Sequence, residues 1–543
     1  MRDFPPWIWT IPEHLNIGVA CTDAHLGTPV EERTAVVVDD DRTGVRQTTF
    51  AELARQTSRF AQLLRDLGVD AGERVLIRLP NCLEYPAVFL GAMKRGAIPV
   101  PTSVLLTGEE VVYLAADSGA RVLVTDVASW NAMHEAVERL DHVTHALLVG
   151  HGEAVRRPRI DVCDLDAALA GISGWDAAHP TRAEDPAYLV YTSGTSGYAK
   201  GVLHAHRALL GRQPSSRYWF DFRPESDRVL HSGKFNWTYV LGTGLMDPLY
   251  RGHTAIVHEG ASDATLWPRL IARHAATIFI GVPTVYRQII QKTHAGRSDV
   301  PSLRHCMSAG EPLSGQVLEA WGERFGLEIY EGLGMTECSY YICQTWEPPL
   351  RPGAAGFVQP GHAVELLDAA TLRNVAPGEE GMLCIRRDDP GLMLGYWNQP
   401  EETAACFRGD WFLTGDYARQ DEDGYVWFLG RRDDLINTFG YRVSPHEIER
   451  VLKDHAVVAD AAATGEEVSS GKVLVVAYVT ARPGGTLLPD DVLAYGRRRL
   501  ASYKAPRIVY LVDELPRTRN GKILRRALTP AGARARSSAA ERP

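Results

Sequence analysis

Between Thr49 and about Val124 the chain alternates between helical and β-rich stretches, and this alternation constrains the fold more than any other feature. A capping box at Thr49 and Glu52 opens a stretch with apolar residues at helical spacing, Leu53, Phe60, Leu63, Leu64 and Leu67, which Gly68 ends. β-rich runs follow at Val75–Leu79, Ile98–Val100 and Val122–Val124, separated by helical stretches at Ala87–Met93 and Glu109–Ala116. Strands interleaved with helices bury their faces by pairing in parallel beneath those helices, so the pattern predicts α/β layers.

The polar stretch 150–186 reads as a surface connection leading to a strand at Tyr188–Tyr191. A second α/β series is expected from the strand Thr277–Ile280, a helix after Pro283, and strands at His305–Ser308 and Leu327–Tyr330. After about Asp433 the pattern becomes a smaller α+β unit with a strand at Val473–Val479 and a helix at Asp490–Leu500, and the last dozen residues read as a solvated basic tail.

Composition narrows the function classes. With 45% hydrophobic and 23% charged residues, the 543-residue chain can bury a large core, which excludes disorder and coiled coil for its bulk. A formal charge of -9 gives no basic field to gather nucleic acid or anionic lipid, so an anionic ligand must be held locally. The longest apolar run, Val473–Val479, is far too short for a transmembrane segment, and the N-terminus has no signal-peptide pattern, so a cytoplasmic protein is expected. The 8 cysteines form no CxxC pair, and a homo-oligomer stays open.

The strongest chemical signal is Tyr191-Thr-Ser-Gly-Thr-Ser-Gly-Tyr-Ala-Lys-Gly-Val202, which gathers three glycines and four hydroxyl side chains around Lys200. Such a loop wraps phosphates. Glycines let backbone N–H groups approach the anion, the hydroxyls of Thr192, Ser193, Thr195 and Ser196 donate, and the lysine supplies a point charge. The spacing is not that of the usual NTPase P-loop.

In order and content this segment resembles the signature loop of the adenylate-forming superfamily of acyl-CoA synthetases, luciferases and peptide-synthetase adenylation domains. Four further segments match in the family's order. They are Tyr330-Glu-Gly-Leu-Gly-Met-Thr-Glu337, Thr414-Gly-Asp416, Gly430-Arg-Arg-Asp-Asp-Leu-Ile-Asn-Thr-Phe-Gly-Tyr-Arg442 and Pro516-Arg-Thr-Arg-Asn-Gly-Lys-Ile-Leu-Arg-Arg526. The resemblance implies a large multi-layer α/β N-terminal part that binds AMP and the acyl group, residues 1–432, and a small mobile α+β C-terminal domain, residues 433–543.

The resemblance also implies ATP, Mg2+ and coenzyme A as co-reactants. A carboxylate is a poor acylating agent because oxide will not leave, so it is first joined to AMP with loss of pyrophosphate and then passed to a thiol. By resemblance Glu337 and Thr192 hold Mg2+, and Thr192, Ser193, Gly194, Thr195, Ser196, Gly197 and Lys200 surround the phosphates. Gly310, Glu311 and Pro312, with Glu331, Gly332, Leu333, Gly334, Met335 and Thr336, complete the nucleotide site. Asp416 and Arg431 take the ribose, and catalytic Lys522 reaches the forming acyl-phosphate junction. Asp433 matches the hinge, and Gly440 and Tyr441 border the pantetheine tunnel.

Gly310-Glu-Pro312 and the segment around Asn236-Trp237 resemble the acetyl-CoA and medium-chain acyl-CoA synthetase branch. Acetate-specific members carry Trp where this chain has Gly334, so the substrate is expected to be a small-molecule carboxylic acid larger than acetate: medium-chain, branched, alicyclic or aromatic. Trp237, Tyr239, Val282 and Gly334 are the candidate acyl-pocket residues. The alternative is an adenylation enzyme that loads a carrier-protein thiol.

Overall fold

The computed structural model describes every residue except 1–5, 194–198, 311–312, 314, 348, 432–435, 440, 444, 470–471, 483–485, 517–522, 524, 531–534 and 539–543. The expected alternation becomes two parallel sheets. One runs in the order Ile98–Pro101, Arg74–Arg78, Val122–Asp126, His145–Val149 and Asp161–Asp164. The other has at its centre the parallel strands Ile329–Met335, His305–Ala309, Ile278–Ile280, Arg228–His231, Thr254–Glu259 and Thr34–Asp40. Helices Phe50–Asp66 and Glu84–Lys94 share one apolar core with both sheets, in which Phe60, Phe89, Val75 and Val257 are fully buried.

Local chemistry sets the helix ends. The capping box at Thr49 and Glu52 is formed, as is a second at Thr107 and Glu110, and each satisfies donors that an open helix start would leave bare. Gly68 turns the chain left-handed at φ +70° just past the first helix.

Two expectations need correction. The stretch 150–186 is not mere connection: Asp161–Asp164 pairs with His145–Val149 as an edge strand, and Asp164 caps the short helix Leu165–Ala170. Within the terminal segment, Ala535–Ser538 pairs antiparallel with Ile508–Leu511, so part of the presumed tail is sheet. In both cases backbone pairing at a sheet edge supplies the order, and it leaves little apolar signature.

The strand Pro186–Ser193 lies in neither parallel sheet. It forms a hairpin with Ala199–Ala205, which in turn pairs with Gly395–Tyr396. Trp411–Gln420 stands in an antiparallel sheet with Glu380–Arg386 and Val426–Arg431. The small C-terminal domain has a sheet of Val458–Ser469, Lys472–Ala481, Ile508–Leu511 and Ala535–Ser538, with helices Pro445–Lys453 and Pro489–Arg499 in its own core. No helix among the described residues is long and apolar enough to cross a membrane.

Candidate active site

A cavity of about 1130 Å³ opens where the hairpin Pro186–Ser193/Ala199–Ala205, the end of the large sheet and the small domain meet. The hairpin contributes Thr192 and Lys200, which face each other across its two strands. The large sheet contributes Gly310 and the run Gly334, Met335, Thr336 and Glu337, while Trp237 and Tyr239 come from the segment that follows the strand Arg228–His231. Tyr441, Arg499, Tyr503 and Lys504 enter from the small domain. Separate stretches of sequence thus converge on one space.

Glu337 sits in the turn between the strands Ile329–Met335 and Ser339–Cys343. That turn is fastened at several points. His204 Nε2 contacts Thr336 O at 2.7 Å, Met393 N donates to Glu337 O at 2.7 Å, and Tyr396 Oη donates to Glu337 Oε1 at 2.8 Å. Burial and the Glu337 charge push the Tyr396 phenol far up, so it remains a donor at neutral pH. Burial lowers His204 to about 4, which keeps it neutral and in the structural role that its place beside the loop suggests.

The Glu337 carboxylate and the Thr192 hydroxyl face one cavity and offer hard oxygen donors. That donor set fits Mg2+, which takes one or two carboxylates and completes its shell with phosphate and water. No cluster of three or more His, Cys, Asp or Glu residues suited to a metal is found among the described residues.

Lys200 Nζ pairs with Glu402 Oε2 at 2.7 Å and lies 5.3 Å from the Tyr396 ring centre. Burial pushes the Glu331 carboxyl up to about 8, with the Leu313 N–H donating to Oε1 at 3.4 Å. Asp416 is fully buried; its N–H donates to Thr414 Oγ1, and its backbone pairs with Arg431.

Trp237 and Tyr239 meet edge to face at 5.2 Å, and Tyr340 packs against Tyr239 at 5.8 Å, so aromatic rings wall the inner cavity. The Tyr441 ring stacks on Tyr503 at 4.1 Å and stands 6.5 Å from Trp237. Lys504 Nζ meets Glu110 Oε1 at 3.2 Å, tying the small domain to the large one.

The cavity collects Thr192, Lys200, Trp237, Tyr239, Gly310, Gly334, Met335, Thr336, Glu337 and Tyr441 from the sequence-predicted residues. Glu331, Gly332, Leu333, Asp416 and Val282 do not line it; Val282 precedes the helix Pro283–Lys292 as its N-cap. Gly194, Thr195, Ser196, Gly197, Glu311, Pro312, Asp433, Gly440 and Lys522 lie outside the described residues, and Ser193 and Arg431 are placed by their backbone pairings alone.

Gly334 lines the cavity and has a local reason of its own as well. A Cβ there would come within 2.1 Å of Ser339 O, so the close approach of two strands demands glycine, and the aromatic walls shape the inner space. Tyr396, Glu402 and Lys504 escaped the sequence reading because each acts on a partner far along the chain; Tyr396 is 59 residues from Glu337. No local spacing marks such a pair.

A Gly/Ser-rich hairpin beside a carboxylate turn, with residues of a small domain lining the same cavity, suits an adenylate-forming enzyme. Residues 25–397 match the AMP-binding enzyme family and residues 447–522 its C-terminal domain, and the chain belongs to this family. It is an AMP-forming acid–thiol ligase, a class that uses ATP, Mg2+ and coenzyme A.

Its relatives include the benzoate–CoA ligase of Thauera aromatica, 35% identical over 88% of this chain and 89% of the relative. The acetyl-coenzyme A synthetase of Bacillus subtilis is 31% identical over 95% and 90%. Among solved structures, the anthranilate CoA ligase AuaEII in complex with anthranoyl-AMP superposes with a TM-score of 0.70 at 29% identity, covering 94% of this chain and 96% of that one. The o-succinylbenzoate CoA synthetase (MenE) of Bacillus subtilis, bound to the product analogue OSB-NCoA, superposes with a TM-score of 0.82 at 25% identity, covering 96% and 100%.

Proposed function

We propose that this ligase activates an aromatic monocarboxylic acid of the benzoate type and works in the cytoplasm. The observation that carries this reading is the ring-lined inner cavity of Trp237, Tyr239 and Tyr340, whose flat faces suit an aryl group. The ligases named for benzoate and 3-hydroxybenzoate among its relatives support it.

The chemistry has two balanced steps. A carboxylate oxygen attacks the α-phosphorus of ATP, the bond to the bridging oxygen breaks, and pyrophosphate leaves with its electron pair. The CoA sulfur then attacks the acyl carbon, AMP departs as the leaving group, and the thiol proton passes to solvent. The first step joins two anions, so positive charge and oriented donors must offset their repulsion.

In this reading Thr192, Ser193, the loop Gly194–Gly197 and Lys200 hold the phosphates, and Glu337 with Thr192 holds Mg2+, which when bound neutralises phosphate charge. Tyr396 orients the Glu337 carboxylate. Gly310, Glu311, Pro312 and the strand containing Glu331, Gly332 and Leu333 lie toward the adenine, the Asp416 carboxylate accepts from the ribose hydroxyls, and Arg431 donates to the ribose or a phosphate. Lys522 stabilises charge at the acyl-phosphate junction. The small domain begins near Asp433, which serves as its hinge, and Gly440 and Tyr441 flank the pantetheine arm. Arg499 and Lys504 at the cavity rim supply cations for the CoA phosphates.

The test is pyrophosphate and thioester formation with Mg·ATP over acetate, octanoate, cyclohexanecarboxylate, benzoate and the hydroxybenzoates, each with and without CoA. Benzoate-type acids are expected to give the highest kcat/KM. A clear preference for octanoate would overturn the aromatic assignment.

A further inference from the structure

The turn that carries Thr336 and Glu337 closes through the pairing of Met335 with Ser339, and Ser339 adopts a left-handed backbone with φ +69°. Glycine is the usual residue at the left-handed position of so short a hairpin connection, because a Cβ is disfavoured there. Here a serine holds the position, and its hydroxyl accepts a hydrogen bond from Arg212 Nη1.

The other edge of that guanidinium is clamped. Arg212 Nε donates to Asp247 Oδ1 at 2.8 Å and Nη2 to Oδ2 at 2.6 Å, with side-chain exposures of 2% and 0%. The guanidinium also lies 4.9 Å over the Tyr340 ring. Two glycines make room for the arrangement: a Cβ at Gly242 would stand 1.8 Å from Arg212 Nη2, and one at Gly334 would stand 2.1 Å from Ser339 O. Gly242 belongs to the π-helical turn Leu241–Met246, which delivers Asp247. Burying both charges costs about as much as their attraction returns, so the value of the pair lies in geometry rather than in stability.

We propose that Arg212, fixed by Asp247, is a positioning residue that holds Ser339 left-handed and thereby sets where Glu337 stands in the cavity. The proposal rests on the reading of Glu337 as the Mg2+ carboxylate. Arg212 touches no reacting atom; it acts through the turn.

Ser339→Ala and Ser339→Gly separate this role from general packing. Both remove the hydroxyl, but only alanine retains the cost of a left-handed Cβ. Ser339→Ala is expected to weaken Mg·ATP binding, measured by calorimetry, and to raise the Mg2+ concentration for half-maximal pyrophosphate release, each by about tenfold. Ser339→Gly is expected to shift both by less than about threefold. Equal shifts in the two variants would overturn the proposal.

The double variant Arg212→Met with Asp247→Leu replaces the pair without stranding a charge. It is expected to resemble Ser339→Ala and to regain most of its Mg·ATP affinity when Ser339→Gly is added; no regain would also overturn the proposal. If the double variant does not fold, the Ala and Gly comparison decides alone. If wild type releases no pyrophosphate with any acid, the ligase reading fails, while the binding difference between Ala and Gly still decides the positioning role.

Discussion

Lys200 and Glu402 form an ion pair of 2.7 Å at the cavity rim, so the cation proposed to hold phosphate already has an anionic partner in the protein. Glu402 is the more exposed member, at 51% against 12%. In the proposed reading, phosphate competes with a carboxylate for Lys200. Glu402→Gln is expected to tighten Mg·ATP binding about two- to fivefold at low salt, the range of a partly screened pair, and to lose that advantage as ionic strength rises. Titration calorimetry at several salt concentrations measures it, and identical affinities in both proteins would remove Lys200 from the phosphate site.

The Lys504–Glu110 pair joins the small domain to the helix Gly108–Ser118, with side-chain exposures of 8% and 15%. Because Tyr441 faces the cavity in this arrangement, the pair belongs to the posture that presents the proposed pantetheine channel. Lys504→Met is expected to slow thioester formation from a preformed acyl-adenylate about three- to tenfold more than it slows CoA-free pyrophosphate release. Rapid-quench measurement of the two half-reactions gives the ratio, and equal slowing would separate this contact from thioester formation.

Lys522→Ala should slow acid-dependent pyrophosphate release by at least ~10²-fold, the scale of losing a preorganised charge. Binding of Mg·ATP and transfer from a supplied acyl-adenylate should survive. Wild-type rates of pyrophosphate release in the variant would end the assignment of Lys522 to the junction.

Burial raises Glu331 from its ordinary value of 4.5 to about 8. The folded chain thus keeps this proton over a range in which the unfolded chain has lost it. Its contribution to stability is fully present below pH 4.5 and is lost as the pH rises through about 8. Between pH 5 and 8.5 the melting temperature of wild type should fall relative to Glu331→Gln, whose amide does not titrate. A constant difference across that range would contradict the raised value.

The layered fold was legible because helical and strand periods are local, and the capping box at Thr49 marked a helix start before any geometry was known. The second capping box, at Thr107, emerged only with the structure, and the edge strand Asp161–Asp164 stands in a polar stretch where pairing rather than apolar alternation fixes the chain. In the site, Thr192, Lys200 and Glu337 could be singled out because they stand in ordered motifs, and the fold brings them to one cavity. Tyr396, Glu402 and Arg212 were not, because each works through a partner far along the sequence. Gly334 was noticed for what it leaves open, yet its nearest neighbour is the Ser339 backbone, a strand approach that only the folded register reveals.

The small domain supplies Tyr441, Arg499 and Lys504 to a cavity whose floor belongs to the large one, so the complete cavity exists only while the two are docked. A ligand that spans both sets of residues binds the docked pair and neither part alone, and mass action then couples their unfolding. Without ligand the two cores can melt as separate transitions; with a bound acyl-adenylate or thioester the lower transition should climb toward the upper until calorimetry records one cooperative event. Melting cooperativity would then serve as a gauge of occupancy that needs no turnover.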